Sequence, residues 1–193
     1  SMMFEGQDLA KLSNREMKPL RRDMQMIFQD PFASLNPRMR IVDVIGEAPV
    51  VHGLVAPRER ETYVAQVMER VGLDASLARR FPHQFSGGQR SRIGIARALA
   101  VKPRFLVCDE AVAALDVSIQ AQVLNLFIRL REEFGLTYLF ISHDLGVVRH
   151  LSDRVVIMYL GRIVESASTE EVFARCNHPY TQALLAEIPR LEA

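Results

Sequence analysis

The 193-residue sequence has little net charge, little cysteine and no long apolar run. Its 24 basic and 23 acidic side chains leave a formal charge of +1, with the basic residues in short pairs. A surface that tracks nucleic-acid phosphates needs a basic excess or stripe, so nucleic acid is not an expected partner. The two cysteines, Cys108 in an apolar stretch and Cys176 beside an expected helix end, offer neither metal-ligand spacing nor a disulfide framework, which suits a reducing compartment. No run of about 18 apolar residues spans a bilayer and no secretory leader is recognisable, so any membrane link is expected to run through a partner. The sequence also lacks a Gly-x-x-x-x-Gly-Lys-Ser/Thr loop, the element that wraps a nucleotide's phosphates.

With 49% hydrophobic and 24% charged residues, disorder is excluded, and the length suits one domain with a smaller helical lobe. The opening Ser1-Met2-Met3 reads as a cloning remnant outside the fold. Ser13-x-x-Glu16 has the form of a capping box before a short helix leading to a strand at Met24–Phe28. Asp30-Pro31-Phe32-Ala33-Ser34-Leu35-Asn36-Pro37 is rich in turn formers and predicts a structured loop. Ile41, Val44, Ile45 and Ala48 then mark one face of a helix. Pro57 opens another helix, with Val64, Val67, Met68 and Val71 buried and Gly72 as the left-handed stop.

Ser86 is placed to cap a helix carrying Ile93, Ala96, Leu99 and Ala100. Beyond it the pattern alternates: a strand at 105–108, a helix at 118–133, a strand at 138–141, a helix at 144–151, a strand at 155–158, and a Gly161 turn into Arg162-Ile163-Val164. Apolar strands separated by amphipathic helices predict an α/β fold with a parallel sheet covered on both faces. No internal repeat or low-complexity stretch interrupts it.

Two constellations carry chemistry. Asp109-Glu110 stands at the C-terminal end of a buried strand, where open parallel sheets place their ligands. There an Asp can hold magnesium and its water shell, and a Glu can polarise an attacking water; the plain alternative is a solvated acidic strand exit. Ser86-Gly87-Gly88-Gln89 puts a hydroxyl and several backbone N–H groups at a helix N-terminus, where partial positive charge favours phosphate; the alternative is an ordinary capped turn. Gln29 and His143 each follow an apolar strand and could reach a phosphate or its water, though such residues are more often solvated or structural. Asp144 has the position of a helix cap.

Together, Phe85-Ser86-Gly87-Gly88-Gln89-Arg90, Phe105 to Glu110, Ala114-Leu115-Asp116 and Ile141-Ser142-His143-Asp144 resemble the signature motif, Walker B, D-loop and switch histidine of ABC transporter ATPase domains, with Gln29 at the Q-loop. Gln29-Asp30-Pro31 through Leu35-Asn36-Pro37-Arg38-Met39, Asp116 to Gln122, and His178-Pro179-Tyr180-Thr181-Gln182-Ala183-Leu184-Leu185 are similar to the ATP-binding subunits of dipeptide, oligopeptide, glutathione and nickel importers. The likeness runs from about Glu5 to Arg190.

The resemblance implies a P-loop NTPase-like ABC ATPase core with a parallel sheet plus a helical subdomain. It divides the chain into a partial core with the Q-loop (4–40), a helical subdomain ending in the signature motif (41–100), a core segment with Walker B, D-loop and switch histidine (101–166), and a C-terminal helical extension (167–193). It implies ATP and Mg2+ as ligands. Glu110 is the implied general base, Asp109 with Gln29 supports the metal, and His143 contacts the terminal phosphate. Ser86, Gly87, Gly88 and Gln89 complete the opposite subunit's site, and Asp116 lies at the seam between two such domains. Implied partners are a second ABC ATPase domain and transmembrane permease subunits, which place the protein in the cytoplasm, peripheral at the inner face of the cell membrane.

Departures from the family pattern set further expectations. The Walker A strand, loop and helix are missing, which reads as truncation before Glu5; a second cut is expected beyond Ile188-Pro189-Arg190. The chain alone is then expected to bind ATP weakly and to be inactive, or to serve as a degenerate domain that donates its signature motif to a complete partner. The missing strand is expected to leave an empty slot beside the Walker B strand, compensated by dimerisation, swapping or rearrangement of the first residues. Ala111 and Ala113 replace the family's usual proline and serine, removing some rigidity and one hydrogen bond at the seam, and Phe85 replaces leucine.

Overall fold

The computed structural model describes residues 1–30 and 34–186. Pro31, Phe32 and Ala33 of the expected loop, and residues 187–193 of the expected C-terminal extension, lie outside the described residues. The chain forms two compact units, Ser1–Leu139 and Phe140–Ala193.

The first unit begins with a small hairpin of β1 (Met3–Phe4) and β2 (Gln7–Asp8). Glu5 and Gly6 both have positive φ, the signature of a type I′ turn whose twist matches that of the flanking strands. The Leu9 N–H donates to the Met2 carbonyl at 2.7 Å, so the opening residues take part in the fold instead of standing outside it. Phe4 meets the Phe105 ring at 6.3 Å, and Glu5 pairs with Arg104 at 3.0 Å.

α1 (Asn14–Asp23) starts at the expected capping box, with Ser13 and Glu16 satisfying each other's backbone N–H groups. It delivers the chain into β3 (Met24–Ile27). Beyond the loop, the Asn36 side chain accepts the Arg38 N–H at 3.0 Å, and Leu35 is buried. α2 (Ile41–Val51) buries Ile41, Val44 and Ile45 as the periodicity requires. Pro57 opens a single 3-10 turn before α3 (Arg60–Arg70), whose stripe Val64, Val67, Met68 continues to the buried cap residue Val71. The end of α3 is a Schellman motif: Gly72, at φ +74°, donates to the Glu69 carbonyl, and Leu73 donates to that of Met68.

α4 (Gly87–Leu99) follows, then β4 (Phe105–Asp109), α5 (Val117–Phe134) and β5 (Thr137–Ile141). The strands form a sheet in the order β3-β4-β5, with β3 and β4 parallel and Ile27 beside Cys108. β4 therefore has a neighbour on each side from this chain, which corrects the expectation of an empty slot next to it. Among the described residues, the sheet's edges are β3 and β5.

One face of this sheet is covered. Leu106 and Cys108 are fully buried, and Tyr138 on β5 packs edge-on against Phe127 of α5 while its hydroxyl donates to the Phe127 carbonyl at 3.0 Å. The opposite face is open: Met26 of β3 and Leu139 and Ile141 of β5 are 38%, 50% and 45% exposed. Coverage on both faces, expected from the apolar strands, is thus not observed among the described residues. The alternation along β5 leaves every second side chain exposed.

The second unit contains α6 (Leu145–Leu151), β6 (Arg154–Tyr159), β7 (Arg162–Ser168), α7 (Thr169–Arg175) and α8 (Pro179–Ala186). β6 does not join the parallel sheet. It pairs antiparallel with β7 through the turn Leu160-Gly161, again with both residues at positive φ. Val148, Val155, Ile157 and Val172 form its core, with Phe173, Tyr180 and Leu184 packed against them. The Glu165 carboxylate accepts the backbone N–H groups of Asn177 and His178 at 2.9 and 3.4 Å, which ties β7 to the entry of α8.

Candidate functional site

Parallel pairing of β3 and β4 brings the C-terminal ends of both strands to one edge of the sheet. Gln29 lies two residues past Ile27; Asp109 ends β4 and Glu110 follows it. The Gln29 Nε2 donates to Glu110 Oε2 at 2.5 Å, joining two residues that are 81 positions apart. Glu110 adopts φ +46°, a left-handed conformation unusual for a residue with a side chain. The turn is held by the Ala113 N–H on the Glu110 carbonyl at 3.0 Å and by burial of Ala111 and Val112. Those two apolar residues sink into the core, so the backbone must turn sharply at Glu110. Asp109 is half-buried beside it.

The Ser86 turn is built as the sequence suggests. The Ser86 Oγ accepts the Gln89 N–H at 3.3 Å, and Gln89 Oε1 accepts the Ser86 N–H at 3.0 Å, a reciprocal capping box. The N–H groups of Gly87 and Gly88 occupy the first turn of α4, where the helix supplies no carbonyl partner and carries partial positive charge. Two anchors fix the turn from beneath. Phe85 is buried in its apolar slot, and Arg90, also buried, donates to the carbonyls of Pro82 at 2.9 Å and His83 at 3.4 Å. A Cβ on Gly88 would lie 2.6 Å from Ile119 Cγ2, so only glycine lets α4 approach α5 this closely. Asp116 stands at the N-cap of α5 with an exposed side chain that makes no capping bond, and Ala113 is exposed just before it.

His143, in the second unit, follows β5 and is exposed. Asp144 behaves as the expected cap: its Oδ1 accepts the N–H groups of Gly146 and Val147 at 2.8 and 3.2 Å, while its own N–H donates to Ser142 Oγ at 3.0 Å. This fixes the backbone on the C-terminal side of His143.

Burial pushes the Cys108 thiol up to about 12 and raises the Tyr138 phenol as well. Neither group is available for acid–base work near neutral pH. Among residues of the signature stretch to which the sequence assigned no role, Arg97 stands out. Its guanidinium, with a pKa lowered by burial, donates to the Ser34 carbonyl and ties α4 to the loop after Gln29. Arg92 is another, bonded to Val71 and Gln122. The spacing Arg90-x-Arg92 was the available signal, but which carbonyls these side chains reach depends on contacts distant in sequence.

The ABC transporter family model matches residues 1–113. The chain is 55% identical over 189 residues to the oligopeptide transport ATP-binding protein AppF of Bacillus subtilis, covering 97% of this chain and 57% of that protein. It is 52% identical over 190 residues to the oligopeptide transport ATP-binding protein OppF of the same organism, covering 97% of this chain and 62% of that protein. The chain thus spans about three-fifths of the length of these relatives. Among solved structures, cbiO1 from Clostridium perfringens, part of the ABC transporter complex cbiONQ, superposes with a TM-score of 0.78 at 26% identity, covering 97% of this chain and 72% of that one. The ATP-binding cassette MJ0796, in a dimeric post-hydrolysis state bound to ADP and Pi, superposes with a TM-score of 0.74 at 27% identity, covering 86% and 72%. These neighbours share the α/β arrangement of an ABC ATPase core, and the family model, matching more than half of the residues, shows that the chain belongs to the ABC transporter family.

Proposed function

We propose that this chain is the ATP-binding segment of an importer subunit for peptides or related small solutes, coupling ATP binding and hydrolysis to transport. The observation that carries this reading is the Gln29–Glu110 hydrogen bond, which sets an amide and a carboxylate side by side at the C-terminal edge of the parallel strands. The nucleotide would bring Mg2+, which neutralises charge on the phosphates. A single carboxylate suits this ion, because magnesium keeps several waters and takes one or two carboxylates plus substrate phosphates. Asp109 with Gln29 provides that donor set, and no cluster of three or more His, Cys, Asp or Glu occurs among the described residues.

Glu110 then serves as the base that takes a proton from the attacking water. Gln29 holds that carboxylate in place and links it to the loop beyond β3. His143 contacts the terminal phosphate. Ser86, Gly87, Gly88 and Gln89 face the nucleotide of a second ABC ATPase domain, with Asp116 at the seam between the two.

No helix among the described residues is long and apolar enough to cross a membrane. The permease is assigned to an open groove of about 570 Å³ lined by Arg21, Met24, Phe28, Ala48, Val51 and His52. Val51 is 73% exposed there, an apolar foothold in a groove that Arg21 and Glu47 also line. Through this contact the protein sits at the inner face of the cell membrane.

The test is ATP-dependent co-elution of the chain with an intact peptide-import ATP-binding protein. Retention in Mg-ATP, weakened by Ser86→Ala, is expected; absence of association with and without ATP would overturn the reading. Alone, with no Gly-x-x-x-x-Gly-Lys-Ser/Thr loop in its 193 residues, the chain is expected to show no turnover. ATPase activity that tracks the protein and vanishes in Glu110→Gln would refute that expectation. If the mixture associates but turns over equally with Glu110→Gln, the chain acts only as a non-catalytic donor of its signature turn.

A further inference from the structure

α4 and α5 run side by side in the same direction: Gly88 lies against Ile119, and one turn further along Arg92 Nη2 donates to Gln122 Oε1 at 3.2 Å. The other arm of the same guanidinium, Nη1, donates to the Val71 carbonyl at 2.7 Å, just past the end of α3. That carbonyl is one of the helix-end acceptors that α3 cannot satisfy itself. Its neighbour, the Arg70 carbonyl, receives Arg129 Nη2 of α5 at 2.7 Å. Cations from α4 and α5 thus cap α3 together, where its dipole favours positive charge. Gly72 makes room for this: a Cβ there would sit 2.9 Å from Arg92 Nη1.

We propose that Arg92 is a positioning residue that locks the Ser86–Gln89 turn in register with Asp116, so that both move as one piece. The inference rests on the functional reading above, in which those two features face a second subunit. Its physical basis is the planar fork of arginine, which bonds two elements at fixed mutual angles, whereas a lysine ammonium acts as a point donor. Gly88 sets the distance between the helices at the first turn and Arg92 sets their register at the second. Neither contact alone prevents sliding of one helix along the other.

The test uses amide hydrogen exchange on the chain without nucleotide, together with co-elution in Mg-ATP with an intact peptide-import ATP-binding protein. In Arg92→Gln, exchange is expected to rise about tenfold at both 89–93 and 120–124, where the first hydrogen-bonded amides of α4 and α5 lie, the size of effect that loss of a charge-assisted hydrogen bond allows. Arg92→Lys should restore part of the protection. Gln122→Ala should loosen the same two segments while leaving residues 70–73 protected, because the bond to Val71 survives. Gln122 is exposed, so this variant folds even if Arg92→Gln does not. Co-elution should weaken in step with exchange.

Faster exchange confined to 70–73 in Arg92→Gln would mean that Arg92 only caps α3, and would overturn the inference. Unchanged exchange at 89–93 and 120–124 in both variants would do so as well. If exchange rises at both segments but the unaltered chain never associates with the partner, the register lock stands and the functional reading falls.

Discussion

Glu110 holds a left-handed backbone conformation while its carboxylate accepts the Gln29 amide. For a residue with a Cβ that region costs about 1–2 kcal/mol, tolerated here because Ala111 and Val112 are buried immediately after it. Glu110→Gly is therefore expected to leave the unfolding free energy unchanged or to raise it by up to about 1 kcal/mol, measured by urea unfolding. A clear loss would mean that the bond to Gln29 outweighs the backbone strain. Cys108 offers a second check at this scale. With its thiol pushed up to about 12 by burial, it should resist iodoacetamide at pH 8 in the native chain, leaving the half-buried Cys176 as the alkylated thiol seen by mass spectrometry. Both residue environments were partly legible: the apolar run around Cys108 foretold its burial, whereas nothing local foretold that Gln29 and Glu110 would meet.

Among the elements, caps and turns were the most legible features because they are written within a few residues. Ser13, Ser86 and Asp144 cap helices as read, and Gly72 and Gly161 stop or turn the chain. Gly72 meets two demands, a φ of +74° and the approach of Arg92, so Gly72→Ala should cost about 1–2 kcal/mol from backbone strain alone. Loss of amide protection at residues 68–73 would report it. Leu160 presents the opposite case, 84% exposed at φ +48° in the β6–β7 turn. Leu160→Asn gives the Asn-Gly pair that type I′ turns prefer and should stabilise the second unit by about 0.5–1 kcal/mol in thermal melts.

The same unit has a pH signature. The Glu171 carboxyl is held below its usual range, first by the Ser168 hydroxyl and then by the Ser168 backbone N–H. Its stabilisation is present above the ordinary carboxylate pKa and lost as pH falls through the lowered one. Acid-induced exchange at the start of α7 should accordingly set in at higher pH in Ser168→Ala.

At the scale of the whole molecule, the β3-β4-β5 sheet has β5 as an edge among the described residues, and Met26, Leu139 and Ile141 on its strands are exposed. In the second unit, Val156, Met158 and Ile163 are more than half exposed, and β6 has β7 as its only paired strand among the described residues. Exposed apolar strands with unpaired backbone groups promote self-association. Light scattering should show concentration-dependent association, and Leu139→Lys with Ile141→Lys should reduce it. A monodisperse monomer at every concentration would contradict this.

By itself the sequence determined what short-range physics encodes: helix faces from their 3.6-residue period, strands from apolar runs, helix starts from Ser and Asp caps, and the motif order that marks the family. Only the tertiary structure decided that β4 lies between β3 and β5, that β6 pairs with β7 away from that sheet, that Gln29 bonds Glu110, and that Arg92 reaches both Val71 and Gln122. These depend on which surfaces meet after the chain has folded back over tens of residues. A side chain's spacing along one helix records the face it occupies, but not the carbonyl waiting on the next.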